Sequence, residues 1–167
     1  MKLNIGCGEV RRDGWLNIDK YDSGQQDLIG DVEGHIDLPD ACADEILLDN
    51  VIEHVESIPA AMREIRRLLK PGARVTLMTP HYTSSSSWRD PTHRWHLSAQ
   101  SFDMFCRERN AHYLGGKLFR TVERKLSFGG GLGLIGRLLA ALSLETYEKR
   151  FCFIFPASTL TVVLEAC

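Results

Sequence analysis

The first residues along the chain that could do chemistry are two glycines and an aspartate. Gly6 and Gly8 flank a cysteine directly after an apolar run, and Asp19 follows eleven residues after Gly8 at the end of a second apolar run. A glycine lets a ligand approach the backbone where a Cβ would collide with it. A carboxylate behind the glycines can accept hydrogen bonds from a ribose diol. The spacing therefore predicts a nucleoside site on two neighbouring strands.

Two details of this motif indicate which kind of nucleotide it serves. A dinucleotide fingerprint has a third glycine three residues after the second, and this chain has Arg11 there. The spacing to the acid is also shorter than the usual distance of about 20 residues. Both departures disfavour a pyrophosphate, and with it a nicotinamide-binding Rossmann domain. A ligand with a ribose and no phosphate fits better.

The same residues resemble the first motif of the class I S-adenosylmethionine-dependent methyltransferases. That motif is an apolar strand running into Gly-Cys-Gly, followed by an acidic residue. The resemblance implies that Gly6, Cys7, Gly8 and Asp19 bind S-adenosylmethionine (SAM). It extends over nearly the whole chain and implies that the reaction leaves S-adenosyl-L-homocysteine.

The resemblance continues at the ends of the third and fourth apolar runs. It implies that Asp31 accepts the adenine amino group and that Val32 offers its backbone N–H to the ring. The backbone at Asp49 and Asn50 would hold the methionine end. Asp31 alone could equally be an ordinary turn acid at a strand end. Its register with the glycine motif favours binding.

Glu53 and His54 follow directly and resemble the Glu-His pair of many small-molecule O-methyltransferases. This implies that His54 faces the acceptor; alternatively, it could cap the strand end by bonding a backbone carbonyl. The catalytic candidates are His54 and His93, because imidazole titrates near working pH. Glu53 or Asp90 could orient one imidazole, as carboxylates commonly do.

Residues 81–97 are predicted to form the substrate-side wall, because solvated loops seldom concentrate aromatic and titratable groups in this way. Asp90-Pro91-Thr92-His93 also resembles a branch of bacterial methyltransferases associated with surface-glycan or natural-product pathways. A cluster that only packs the loop is the alternative. The substrate-binding candidates are His81, Tyr82, Trp88, Asp90 and His96.

A divalent metal is considered and not favoured by the sequence. Glu53-His54 with a later histidine is similar to the small-RNA 2′-O-methyltransferases, in which two glutamates and two histidines hold an ion. The position of the first glutamate is Asn50 here, which is a weaker neutral ligand. His81, His93 or His96 could complete a site, but the sequence does not place them.

Residues 128–157 are predicted to be a cover inserted between the last two strands. A glycine-rich stretch leads into an apolar helix over 129–142, with no Lys-Ser/Thr to make it a phosphate loop. The segment could contact an apolar substrate, a membrane surface or a partner chain, including a second copy in a homodimer. A helix packed on the core is the alternative.

The elements that must position these residues alternate between strand and helix. Apolar runs predict strands at 2–6, 15–19, 27–31, 45–51, 73–79, 118–126 and 159–164. The clearest helix is predicted at 58–70, capped by Ser57 and ended by Pro71-Gly72. The first connection, 9–14, is too short for a full crossover helix. This alternation predicts an α/β fold with a doubly wound, mostly parallel sheet in a single compact domain 1–167. The resemblance implies the seven-stranded Rossmann-like methyltransferase sheet, whose last strand is antiparallel.

Composition limits the partners and the compartment. The chain has 167 residues and a net charge of −2, so no basic footprint argues for nucleic acid. Five scattered cysteines form no Cys-x-x-Cys pair, which predicts free thiols in a reducing cytoplasm. Because the first predicted strand begins at residue 2, we expect neither a signal peptide nor an N-terminal cover, and no apolar run reaches the roughly 18 residues of a membrane span.

The resemblance to the class I methyltransferases implies methyl transfer from SAM to a small-molecule or glycan acceptor, most readily at oxygen. The alternative is a SAM-binding regulatory or partner subunit that does not catalyse.

Overall fold

The computed structural model describes residues 1–108, 116–131 and 133–167, and its strands form one seven-stranded sheet. Leu132, inside the predicted glycine-rich cover, lies outside the described residues. The strands are β1 (Lys2–Ile5), β2 (Leu16–Asp19), β3 (Leu28–Ile29), β4 (Ala43–Asp49), β5 (Leu69–Pro80), β6 (Phe119–Ser127) and β7 (Thr159–Ala166). The described helices are α1 (Ile58–Leu68), α2 (Ser85–Arg89), α3 (Gly133–Leu142) and α4 (Leu144–Arg150), with a 3-10 turn at Asp103–Cys106.

The strand order is β3-β2-β1-β4-β5-β7-β6. The first five strands are parallel, and β7 pairs antiparallel with both β5 and β6. The predicted mostly parallel sheet with an antiparallel last strand is confirmed. Chain order reverses between β1 and β4, and ligands of open α/β sheets bind at the carboxyl ends of the strands beside such a reversal.

Helix α1 is shorter than its sequence pattern predicts. Ser57 caps its start, since the side-chain oxygen accepts the Ala60 N–H at 3.3 Å. The helix ends at Leu68 rather than at residue 70, because Leu69 is already extended and pairs with Ala43 of β4. The face of α1 that packs on the sheet is fully buried at Ala61, Met62, Ile65 and Leu68.

No helix lies between β1 and β2, as the short connection predicts. Two buried asparagines organise this loop instead. Asn4 donates to the side-chain oxygen of Asn17 at 3.0 Å, and Asn17 donates to the carbonyls of Arg12 and Trp15. These bonds fix the loop beside the glycine motif without a crossover helix.

Residues 128–158 join β6 to β7 and contain α3 and α4. Helix α3 packs through its glycines: a Cβ on Gly136 would lie 2.7 Å from the ring of Phe128. The opposite face of α3 is apolar and exposed at Leu134, Leu138 and Leu142. Within the described part of the chain, no helix is long and apolar enough to cross a bilayer.

Candidate active site

A cavity of about 760 Å³ opens at the carboxyl ends of β1, β2, β3 and β4. Small-molecule sites commonly have volumes of about 300–1,000 Å³. The sheet therefore forms a site of suitable size at the position where its strand order reverses. Seven of the residues predicted from sequence line it: Gly6, Gly8, Asp19, Asp31, Val32, Asn50 and His54.

Both glycines of the motif are needed, for different reasons. Gly6 has a φ of +73°, and a Cβ there would lie 2.2 Å from a methyl group of Val51. Gly8 has a φ of +52°, and nothing lies within 4 Å of the place where its Cβ would be. Left-handed backbone favours glycine at both positions. The open space at Gly8 leaves its backbone accessible to a ligand.

Asp19 ends β2 at the floor of this cavity, with 9% of its surface exposed. One carboxylate oxygen accepts the Gly8 N–H at 2.7 Å, and the other accepts the Tyr21 N–H at 2.9 Å. Each oxygen has a second lone pair. The carboxylate is thus held rigidly and can still accept hydrogen bonds from a diol.

Cys7 and Asp49 do not line either cavity described here. The Cys7 side chain is buried, and burial is the main cause that raises the pKa of its thiol. Asp49 forms an ion pair with Arg12 at 3.3 Å. Asn50 lines the cavity instead and adopts a φ of +54°, which turns the chain sharply after β4.

A second cleft of about 580 Å³ adjoins the first and shares Asn50, His54 and Pro91 with it. Its remaining lining residues are Pro80, Ser86, Arg89, Asp90 and His93. The loop that carries His93 is fixed over the end of β4, because the Glu53 carbonyl accepts the N–H groups of Arg94 and Trp95. His54 therefore stands where the two cavities meet.

Glu53, His54 and His93 form one cluster at this junction. One ligand atom of each residue lies within 4.8 Å of the other two, and the two rings meet edge to face with centroids 4.6 Å apart. Burial, with the charge of His93 as the next cause, lowers the pKa of His54. His54 is thus held neutral near pH 7, the form that can accept a proton or bind a metal.

Glu53 is the unusual member of this cluster. It is 1% exposed, and neither carboxylate oxygen has a hydrogen-bond partner among the described residues. The nearby hydroxyl of Thr79 also lacks one. Burial is the dominant cause that raises the pKa of Glu53. Burying a carboxylate without a hydrogen-bond partner costs folding free energy. Side chains that are buried at such a cost are typically retained for function.

Four predicted substrate-side residues do not line either cavity. His81 is fully buried, with its ring nitrogens 3.0 Å from Glu148 and 2.7 Å from Thr83. The ring of Tyr82 packs edge to face on Phe153. Trp88 and His96 stack on each other with centroids 3.5 Å apart. Of the five substrate-side candidates, Asp90 alone lines the second cleft.

Sequence reasoning missed several lining residues. Lys20 and Tyr21 follow Asp19 directly, and the position just after a ribose-binding strand could have indicated them. Thr92 lies inside the Asp90–His93 segment that was singled out, yet its hydroxyl bonds to His54 at 2.9 Å across 38 residues of sequence. No local signal predicts such a long-range contact.

The model of a family described as a methyltransferase domain matches residues 7–166. No curated protein sequence matches the chain significantly. Among solved structures, a SAM-dependent methyltransferase from Archaeoglobus fulgidus superposes with a TM-score of 0.60 at 18% identity, covering 98% of this chain and 85% of that one. One from Mesorhizobium loti gives 0.61 at 14% identity, covering 98% and 89%.

A third similar structure is the complex of a Haloferax volcanii methyltransferase with the Trm112 methyltransferase activator. It has a TM-score of 0.59 at 14% identity, covering 99% of this chain and 81% of that one. At these identities the structural likeness shows the fold, whereas the family match spans nearly the whole sequence.

Proposed function

Because this chain belongs to the methyltransferase domain family, we propose that it transfers the methyl group of SAM to a hydroxyl of a small molecule or glycan. The observation that carries this proposal is the meeting of two cavities at His54. One cavity has the glycine and aspartate lining that suits a nucleoside. The other has the imidazole, carboxylate and guanidinium groups that suit a polar acceptor.

The nucleoside cavity fits the cofactor that the family implies. Backbone at Gly8 is open to a ligand, and the fixed carboxylate of Asp19 can accept from both ribose hydroxyls. Asp31 is exposed at the same cavity and available to the adenine amino group. When bound, SAM supplies a methyl group on a sulfonium, which a nucleophile attacks in line.

The second cleft would position the acceptor and supply a base. Holding two reactants in line can lower the barrier by about 7–11 kcal/mol, and a positioned base adds about 10²–10⁴-fold. His54 and His93 are the proposed acid–base pair, with Glu53 beneath them as the third catalytic group. Their position at the junction supports this, because an acceptor oxygen in the second cleft would lie beside both imidazoles.

The proposed function also includes the cytoplasm as the compartment in which the protein acts. All five cysteines are free thiols, which supports this compartment.

The proposal further includes a homodimer. The exposed leucines of α3 would be its contact surface. Analytical ultracentrifugation of the wild type and of a Leu138→Glu variant tests this: a dimer is expected for the first protein only.

The experiment that tests the function combines calorimetry with turnover. SAM should bind the wild type, and labelled methyl should appear in small-molecule or glycan products from a cell extract. His54→Ala and His93→Ala should each lower turnover at least tenfold, and His93→Ala, whose side chain lies outside the nucleoside cavity, should leave SAM affinity nearly unchanged. His35→Ala, an exposed histidine outside both cavities, is the control.

Three outcomes contradict this proposal at different points. Absence of SAM binding would remove the assignment altogether. Binding without transfer to any acceptor would identify a SAM-binding partner subunit instead. Full turnover in both histidine variants would mean that catalysis relies on positioning alone.

A further inference from the structure

We propose that Glu53, His54 and His93 together bind a divalent transition-metal ion at the junction of the two cavities. Two imidazole nitrogens and one carboxylate oxygen, each within 4.8 Å of the others, are the donor set of many such sites. Three further observations support it: the tautomer of each histidine, the unpartnered carboxylate and the acidic neighbour.

The hydrogen bonds of His54 fix which of its nitrogens is free. The hydroxyl of Thr92 donates to Asp90 at 2.6 Å, so its single proton is committed there. The 2.9 Å contact between that hydroxyl and Nδ1 of His54 must then have the imidazole N–H as donor. In the neutral ring, Nε2 carries the lone pair. Metal-binding histidines are commonly oriented by such a bond from the other nitrogen.

His93 has the same neutral tautomer as His54, fixed by a different hydrogen bond. Its Nδ1 lies 3.1 Å from the Ser87 carbonyl, which can only accept, so Nδ1 carries the proton. Nε2 again carries the lone pair, and an Asp90 carboxylate oxygen lies 3.9 Å from it. Both histidines therefore present an unprotonated Nε2 in their neutral forms.

The carboxylate of Glu53 completes the set. Its two oxygens are buried without partners, and a cation would supply the interaction they lack. Asp90, which lines the second cleft, adds a second carboxylate beside the cluster. One neutral pair of imidazoles with two carboxylates gives a site of net negative charge, which suits a divalent cation.

The donor types select the kind of ion. Imidazole nitrogen suits zinc and its first-row neighbours, whereas magnesium prefers an octahedron of oxygens. Tetrahedral bonds of about 2.0–2.2 Å are within reach of donor atoms that already lie within 4.8 Å of one another. Three ligands leave an open position, and the second cleft is where that position would be accessible.

This inference rests on the proposed function only for its chemical consequence. An acceptor hydroxyl bound at the open position would lose its proton to solvent more readily. The oxygen would then form its bond to the methyl carbon as the carbon–sulfur bond breaks and the electron pair stays on sulfur. The imidazoles would hold the ion in that case, rather than take the proton.

The test is a metal titration of protein first stripped with a chelator and dialysed. Co²⁺ and Zn²⁺ should bind the wild type at one strong site, and the Co²⁺ spectrum should lack a thiolate charge-transfer band, which excludes the free cysteines as ligands. Glu53→Gln and His93→Ala should each weaken binding at least tenfold. Thr92→Val, which removes the partner of His54 and no ligand, should weaken it by about 10–100-fold.

His35→Ala is again the control and should bind as the wild type does. Equal binding by the wild type, Glu53→Gln and His93→Ala would overturn the proposal, as would no binding of either metal. SAM calorimetry on the same samples separates the two inferences, because cofactor binding without metal binding refutes this site alone. Full turnover in chelator would show that any bound ion is dispensable, and it would return the histidines to the role of bases.

Discussion

Asp19 performs two tasks with one carboxylate, since it holds the Gly8 and Tyr21 amides and faces the nucleoside cavity. Asp19→Ala should therefore cost about 1.5–3 kcal/mol of SAM binding free energy, or about ten- to hundredfold in affinity. Calorimetry measures this directly. Asp37→Ala, an exposed aspartate outside the cavity, should bind normally. Unchanged affinity in Asp19→Ala would exclude the ribose contact.

Replacing each of the two buried glutamates in the described residues should change stability in opposite directions. Glu53 has no partner, whereas Glu64 forms an ion pair with Arg67 at 2.6 Å and accepts the Ile36 N–H at 2.8 Å. In metal-free protein, Glu53→Leu should raise the free energy of unfolding by about 1–3 kcal/mol, because it removes an uncompensated carboxylate. Glu64→Leu should lower it by about 1.5–3 kcal/mol, because it removes the buried hydrogen bonds to Arg67 and leaves the Ile36 N–H without its acceptor, while Arg67 keeps its ion pair with Asp40.

Urea unfolding in the presence of chelator measures both changes. A loss of stability in Glu53→Leu comparable to that of Glu64→Leu would show that Glu53 supports the fold. A gain would show that the chain retains this residue at a cost in stability, as expected for a functional group.

Three of the predicted residues that line the nucleoside cavity share one property. Gly6, Gly8 and Asp19 each lie at the end of a strand, and the strand pattern is itself readable from the sequence. His81, predicted on the substrate side, is buried and lines neither cavity. A histidine in an aromatic-rich segment has the same sequence signature whether it is buried or faces a ligand. The contact of His81 with Glu148 spans 67 residues of sequence and no local pattern encodes it.

At the scale of elements, the sequence predicted the existence of each strand more accurately than the residues at which the strands begin and end. Each of the seven strands lies where an apolar run predicts it, but β3 contracts to Leu28–Ile29 and β5 extends to Leu69–Pro80. Both changes follow from pairing. The edge strand β3 has one neighbour, β2, whereas the long strand β5 lies between β4 and β7. Pairing partners are tertiary information, so the periodicity of one segment cannot set these limits.

Glu148 of α4 joins the 128–158 insertion to the substrate-side loop. Its carboxylate contacts Nε2 of His81 at 3.0 Å and accepts the Ala99 N–H at 2.8 Å. Glu148→Ala should lower the free energy of unfolding by about 1.5–3 kcal/mol and raise hydrogen exchange at Ala99. Glu145→Ala, on the same helix with an exposed partner in Lys149, should change stability by less than about 0.5 kcal/mol. Equal effects would contradict a joining role for Glu148.

At the scale of the whole molecule, a buried phenol predicts how stability changes in alkali. Tyr147 is fully buried and its hydroxyl donates to the Phe155 carbonyl at 2.7 Å. Burial is the main cause that raises its pKa from 10.0 to about 12. In the unfolded chain the phenol ionises near pH 10, so between about pH 10 and 12 the unfolded state binds fewer protons and stability falls as pH rises.

Urea unfolding at several pH values between about 10 and 12 measures how steeply the free energy of unfolding falls with pH. Tyr147→Phe should be less stable near pH 8, because the partly buried Phe155 carbonyl loses its donor, and should lose less stability per pH unit above pH 10. Burial also raises the pKa of Tyr82, so the variant should retain the part of the slope that Tyr82 contributes. An unchanged slope would show that the folded protein opens around Tyr147 before the phenol ionises.

The place of β7 between β5 and β6 has a consequence for how the protein is made. A ribosome releases the nucleoside-binding strands β1 to β4 early and β7 after every other described strand. Until β7 emerges, on the order of seconds after β5, one edge of the longest strand has unpaired amides and carbonyls, which is a template for joining another nascent chain. The last strand therefore closes the sheet and ends this exposure, and chaperone demand during synthesis should be greatest in that interval.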